Sequence, residues 1–152
     1  MLLKYPETNF ECINCGLCCR DAGRHLRRIM LTPADADRIA QATQMPLEGF
    51  CKPANHAPAP FFRIMRKESG TCIFLDGNSM CRVYSTRPLI CRCYPFPVEF
   101  DEQVVTFASP TKDCPGVGRG AKLPKEFFEK LAQEVLRSHK SYRKMHLDFR
   151  SQ

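Results

Sequence analysis

The chain has 152 residues, a formal net charge of +7 and a hydrophobic content of 43%. This length suits one domain, and this hydrophobic content supports a packed core, which excludes global disorder. No apolar stretch reaches the roughly 18 residues of a membrane span, and the segment 1–10 carries Lys4 and Glu7 where a secretory signal would be apolar. We therefore expect a cytoplasmic protein without a membrane anchor.

A helix is predicted after the first cysteine-rich loop and a short apolar strand that ends at Leu31. Thr32 is a suitable N-cap, Pro33 fits the first helical position, and Asp35 is favoured near the positive end of the helix. The helix is expected to run to about residue 43.

Short strands are predicted in the middle of the chain. Apolar residues indicate strands over 61–67 and 71–75, and a hairpin formed by 98–100 and 104–107. Between these two pairs, the prolines at 88, 95 and 97 predict a coil that carries Cys91 and Cys93.

The longest helix is predicted to start at Pro124. Apolar residues recur there at steps of three and four, which is typical of an amphipathic helix; the face comprises Phe128, Leu131, Val135, Ser138, Tyr142, Met145 and Phe149. Together these elements predict an α+β fold, a small irregular domain organised by metal, with short strands, cysteine-rich loops and a long C-terminal helix. We expect a cysteine-cluster region at 1–118 and a helix at 119–152 packed on it, within a single domain.

The ten cysteines are the strongest chemical signal in the sequence. Thiols stay reduced in the cytoplasm, where such a density indicates metal ligation and not disulfides. Cys12, Cys15, Cys18 and Cys19 form one close group, and a Cys-x2-Cys step lets a tight turn direct two sulfurs at one metal. Cys72 and Cys81 flank a predicted hairpin turn and are expected to lie close together.

Several of these motifs, in order, resemble one known family. They are Cys12-x2-Cys-Gly-x-Cys-Cys, Cys72-Ile-Phe-Leu, Cys81-Arg-Val-Tyr and Arg87-Pro-Leu-Ile-Cys-Arg-Cys-Tyr-Pro-Phe. The sequence is similar, over about residues 10–116, to the YkgJ family of cysteine-cluster proteins, described as a putative zinc- or iron-chelating CxxCxxCC domain. The resemblance implies eight metal ligands, which are Cys12, Cys15, Cys18, Cys19, Cys72, Cys81, Cys91 and Cys114.

The cofactor favoured by the sequence is an iron–sulfur cluster of the [4Fe–4S] type, with zinc as the alternative. The Cys-x2-Cys-x2-Cys run and the Cys114-Pro115 pair resemble the ligand pattern of bacterial ferredoxins. Both metals accept four thiolates, and the eight ligands are compatible with one site or with two. For the two cysteines outside the family set, we expect Cys51 to be a buried apolar residue, while Cys93 fits either role.

Three functions are compatible with these residues. The chain lacks a phosphate-binding loop, a nucleophile elbow and a paired His-Glu motif, which favours an electron-transfer or accessory module that docks on a larger enzyme. A zinc-stabilised interaction domain is the second candidate. A cluster-dependent enzyme subunit is the third, because a flagellin lysine N-methylase related to the family carries a similar cysteine domain. A protein partner is expected, and nucleic acid stays as the less favoured partner, which the interaction domain would contact.

Basic residues near the cysteines are expected to balance the negative charge of metal-bound thiolates. They are Arg20, Arg24, Arg27, Arg28, Arg87 and Arg92, and His25 lies beside them in the sequence.

Overall fold

The structure is a computed structural model that describes residues 1–23 and 26–150, with the side chains of the last helix described as far as Lys144. It confirms the predicted α+β class. The strands are β1 (Leu2–Lys4), β2 (Asn9–Phe10), β3 (Met30–Leu31), β4 (Cys51–Pro53), β5 (Arg63–Met65), β6 (Lys67–Glu68), β7 (Thr71–Cys72), β8 (Val98–Phe100), β9 (Val104–Phe107) and β10 (Val117–Lys122). The helices are α1 (Pro33–Thr43), α2 (Leu47–Phe50), α3 (Leu89–Cys93) and α4 (Lys125–Arg150).

Helix α1 begins where the sequence predicts it. The Asp35 backbone N–H donates to Thr32 Oγ1 at 3.1 Å, and the Thr32 backbone N–H donates to Asp35 Oδ2 at 2.9 Å. This reciprocal capping box satisfies two N–H groups that a helix start otherwise leaves unpaired. The helix ends at Thr43, and Gln44 adopts the left-handed conformation that closes many helices.

One core packs between α1 and a three-stranded antiparallel sheet with the order β3-β5-β4. It buries Leu31 and Ile39 together with Phe50, Cys51 and Met65. The burial of Cys51 in this core agrees with the expectation that it is an apolar residue. The two-stranded ribbon β6-β7 extends from this region and ends at Cys72.

A second core packs α4 against the sheet β1-β9-β8, in which β1 runs parallel to β9, and β8 and β9 form the predicted hairpin. Phe128 is fully buried at its centre, with ring centroids 4.9 Å from Tyr5, 5.2 Å from Phe96 and 5.3 Å from Phe107. The long helix is confirmed; Phe128, Leu131 and Val135 are buried as its pattern predicts, whereas the side chains of Met145 and Phe149 lie outside the described residues.

The coil predicted around Cys91 and Cys93 is wrong, because residues Leu89–Cys93 form helix α3. Pro88 occupies the N-cap position, where no backbone N–H is required, and a five-residue helix fits before Pro95. Strand β10 was not predicted. It spans residue 118, where the cysteine-cluster region was expected to end, and it pairs with β2. Within the described residues, no helix is both long enough and apolar enough to cross a membrane.

Candidate metal centre

All eight cysteines that the family resemblance selects line one cavity of about 280 Å³. We call it the cysteine cavity. Its wall includes Ile29 and Met65 of the first core region and Phe10 and Phe127 from the edge of the second, so it lies where the two cores meet. The two remaining cysteines do not line it, because Cys51 is buried in the first core and Cys93 in the second.

A tight turn arranges the first four cysteines. Gly16 has a positive φ of 75° and precedes a short 3-10 helix, Leu17–Cys19. The positive φ is unfavourable for residues with a side chain, and it turns the chain between Cys15 and Cys18. The Sγ atoms of Cys18 and Cys19 are 3.9 Å apart.

Cys72, Cys81 and Cys91 reach the same cavity from three further elements. Cys72 ends β7, and Cys81 forms an isolated antiparallel bridge with Leu75. The Arg82 backbone N–H donates to Phe74 O at 2.8 Å and holds the two cysteine segments together, as the predicted hairpin turn requires. Cys91 and Cys93 both lie on α3, but only Cys91 lines the cavity.

Cys114 is brought to the first cysteine loop by the pairing of β2 with β10. The Glu11 backbone N–H donates to Gly116 O at 3.1 Å, directly beside Cys12. A Cβ atom at Gly116 would collide with the carbonyl oxygen of Glu11. Glycine is therefore required for this close approach of the two ligand-bearing segments.

The pKa of the Cys18 thiol lies below that of an ordinary cysteine. Its hydrogen bond with Cys19 is the main cause of a pKa lowered to about 6, and the nearby charges of Arg27 and Arg87 act in the same direction. The same hydrogen bond, together with burial, raises the pKa of Cys19. The lowered pKa favours the thiolate of Cys18, which is the form that binds metals.

The thiols of the other segments are less acidic than usual. Burial raises the pKa of Cys72, Cys81 and Cys114, and it raises the pKa of Cys91 to about 12. The negative charge of Cys18 contributes to each of these shifts, which places Cys18 near all four. Metal binding at neutral pH must therefore displace protons from several of these thiols.

Arg87 and Arg92 line the cavity, and Arg27 contacts the first cysteine loop. Its Nε donates to the backbone oxygen of Cys18 at 2.8 Å, and its guanidinium lies over the ring of Tyr94 at 4.9 Å. Its Nη2 atom is buried and has no hydrogen-bond partner among the described residues. A buried N–H group without a partner is unfavourable, and a negatively charged metal–thiolate centre would supply one. The donor set and this nitrogen fit such a centre.

The other basic residues take different roles. The charge of Arg87 contributes to the lowered pKa of Cys18 and partly offsets the effect of burial on the pKa of Cys81, as expected of a balancing charge, whereas the Arg92 side chain forms an ion pair with Glu134 at 2.6 Å. Arg20 donates to Ser79 Oγ at 2.8 Å, and Arg28 is exposed. The predictions for Arg24 and His25 fall outside the described residues.

The sulfur atoms surround the cavity and do not converge on one point. Within the described part of the chain, no group of three or more His, Cys, Asp or Glu side chains is close enough to hold a single ion.

Two aromatic residues of the wall, Tyr94 and Phe127, were not predicted. The sequence signal for Tyr94 was the Cys-Tyr-Pro motif, in which it follows Cys93. Phe127 lies beside Phe128, which belongs to the apolar face predicted for α4.

Comparison with known proteins agrees with this site. A family model named CxxCxxCC and described as "Putative zinc- or iron-chelating domain" matches residues 11–115. The chain belongs to this family. All eight cysteines of the cavity lie within the range matched by the CxxCxxCC domain, and the family predicted from the motifs is confirmed. An uncharacterized protein of Methanocaldococcus jannaschii is 31% identical over 133 residues, which cover 84% of this chain and 69% of that protein. No solved structure matches the chain.

Proposed function

We propose that this CxxCxxCC domain holds an iron–sulfur cluster of the [4Fe–4S] type and acts as an electron-transfer or accessory module for a larger enzyme. The observation that supports it most is that eight cysteines share one cavity, while Cys51 and Cys93 are packed elsewhere. One zinc ion needs only four ligands. A [4Fe–4S] cluster also uses four thiolates, so the eight thiols support a metal–thiolate centre, and the ferredoxin-like Cys-x2-Cys-x2-Cys run from Cys12 to Cys18 favours the cluster over zinc.

The wall of the cavity suits a cluster that is kept from water. Cys19 and Cys72 are buried, and Ile29, Met65 and Phe127 form an apolar part of the wall. Burial and hydrogen bonds to sulfur are the means by which a protein tunes such a centre. Arg27 and Arg87 place positive charge next to the thiolates. When bound, an iron–sulfur cluster supplies one-electron transfer.

A protein partner is favoured by the side of the cavity that faces solvent. Cys12 is exposed there, and Ile13, Leu17 and Tyr84 are 41%, 37% and 50% exposed. All four residues line the cavity. Large apolar side chains grouped on a surface are typical of contact sites for other proteins. A partner seated there would lie next to the metal ligands, as electron transfer requires.

One distance favours the second candidate, a zinc-stabilised interaction domain. Zinc–sulfur bonds of about 2.3 Å in a tetrahedron place neighbouring sulfurs roughly 3.8 Å apart. The Cys18 and Cys19 sulfurs, 3.9 Å apart, match this spacing. Zinc has no redox chemistry, so this candidate gives a structural role to the centre and leaves the exposed apolar surface as the functional part.

Metal and sulfide analysis of protein purified without oxygen tests the proposal. We expect iron with inorganic sulfide in near-equal amounts and a broad thiolate-to-iron absorption band near roughly 400 nm. This band should bleach on reduction with dithionite and return on oxidation. Stoichiometric zinc without sulfide or colour would overturn the cluster and favour the interaction domain. Iron with sulfide that no reductant bleaches would refute the electron-transfer role alone.

A further inference from the structure

A second and larger cavity of about 830 Å³ lies next to the cysteine cavity. We call it the basic pocket. Met65 and Val83 line both cavities and therefore form part of the wall between them. Its volume falls in the range of about 300–1,000 Å³ that is typical of small-molecule sites.

The charged residues of the basic pocket are four cations, Lys52, Arg66, Lys67 and Arg82, and one acid, Glu68. Lys67 is neutralised by an ion pair with Asp21 at 2.7 Å. The other three cations face a single carboxylate, which leaves a net positive charge inside the pocket. A concave site lined by one sign of charge concentrates ligands of the opposite sign.

Two of these cations are fixed in position by the backbone. Arg66 Nε donates to Glu48 O at 2.8 Å, and Arg82 Nη2 donates to Ile73 O. The Lys52 side chain is exposed and has no hydrogen bond or ion pair with any described residue. Two oriented guanidinium groups and one uncommitted ammonium group form a suitable receptor for a carboxylate or a phosphate.

Most of the other residues that line the pocket are apolar, and its volume is too large for an inorganic anion alone. Ile64, Met65, Ile73 and Phe74 line it, with Met45 at the side of α2. We propose that the basic pocket binds a small organic anion, whose carboxylate or phosphate group contacts Lys52, Arg66 and Arg82 and whose apolar body packs on these side chains.

The bound anion would lie close to two metal ligands. Ile73 and Phe74 directly follow Cys72, and Arg82 and Val83 directly follow Cys81. Occupancy of the pocket therefore acts on the two segments that carry these cysteines. Anion binding itself needs only the pocket residues, so it does not depend on whether the metal centre holds iron or zinc.

Two probes with the same aromatic body test the proposal, 1-naphthyl phosphate and 1-naphthoate, with uncharged 1-naphthalenemethanol as the reference. They are titrated into metal-replete protein that carries ¹³C-methyl methionine. Met45 lines only the basic pocket, whereas Met65 lines both cavities. We expect both anions to shift the Met45 methyl signal until the site is saturated. The doubly charged phosphate should bind with the higher affinity, and the alcohol should leave the signal unchanged.

Lys52→Glu is the decisive variant, because this side chain has no structural contact to lose. It should weaken binding of 1-naphthyl phosphate by about five-fold or more, whereas the same charge reversal at exposed Lys130 on α4 should leave binding unchanged. Equal weakening by both variants, equal binding of the alcohol, or a shift of Met65 without Met45 would each overturn the proposal. Metal analysis of the same samples shows separately whether the cluster assignment holds, so a failure of anion binding is distinguished from a failure of that assignment.

Discussion

The buried carboxylate of Asp35 accepts a hydrogen bond from the backbone N–H of Leu89 at 3.1 Å, across 54 positions of the chain. The same carboxylate accepts the Thr32 N–H at 2.9 Å and pairs with Arg38 at 2.6 Å. It therefore joins the N-terminal ends of α1 and α3, where backbone N–H groups are unpaired and the helix dipole is positive. Because α3 carries Cys91, Asp35 also positions one wall of the cysteine cavity.

Replacement of Asp35 by alanine should be strongly destabilising. It removes the acceptor of the N–H groups of Thr32 and Leu89 and leaves both buried without a partner, at a cost of about 2–4 kcal/mol. Asp37→Ala, an exposed change in the same helix, should change stability by about 0.5 kcal/mol or less. Urea unfolding of the metal-replete proteins compares the two. Equal midpoints would contradict the bridging role of Asp35.

Elements with local signals were predictable from the sequence. Helix α1 follows from Thr32, Pro33 and Asp35, and α4 follows from its apolar period, because both signals depend on residues a few positions apart. Helix α3 was missed because the prolines around it indicate coil, while the contact that stabilises its start comes from Asp35, far away in the sequence. Local propensity does not include such a contact.

The ligand set, too, was predictable only in part from the sequence. The family motifs gave the eight cysteines that line the cavity, but spacing alone left Cys93 open. Its place follows from α3, which directs Cys91 and Cys93 into different surroundings. The approach of Cys114 to the first loop depends on β10 pairing with β2, a register that involves glycines and no alternating pattern.

A methyl group at Gly116 should damage the centre without changing any ligand. Gly116→Ala places a Cβ against the Glu11 carbonyl, which forces the Cys114 segment away from Cys12 and should cost about 1–3 kcal/mol. We expect a lower metal content per chain as well as a lower unfolding midpoint. Gly77→Ala is the matched control, because nothing lies within 4 Å of its added Cβ. Normal metal content in Gly116→Ala would show that this close approach is dispensable.

Cys91 and Cys93 form a matched pair on one short helix. Cys91→Ala removes a thiol from the cavity and should reduce bound metal to about half or less, since a cluster with an incomplete ligand set is readily lost. Cys93→Ala removes a buried sulfur from the second core and should retain the metal, with a loss of stability of about 1 kcal/mol. Metal analysis and thermal unfolding of both variants check this pair. Metal loss in Cys93→Ala alone would reverse the assignment.

Removal of the metal should unfold the region around the cavity and spare part of the second core. Thiolate–metal bonds contribute on the order of 10 kcal/mol to small metal-dependent domains, and here the ligands come from five separate segments of the chain. Helix α4 retains the ring contacts of Phe128 with Tyr5 and Phe96, and none of these three residues lines the cavity. We expect chelation to reduce the far-ultraviolet circular dichroism only in part and to broaden the methyl signal of Met65, which lines the cavity. A spectrum and an unfolding temperature that are unchanged after complete metal removal would show that the fold is independent of the centre.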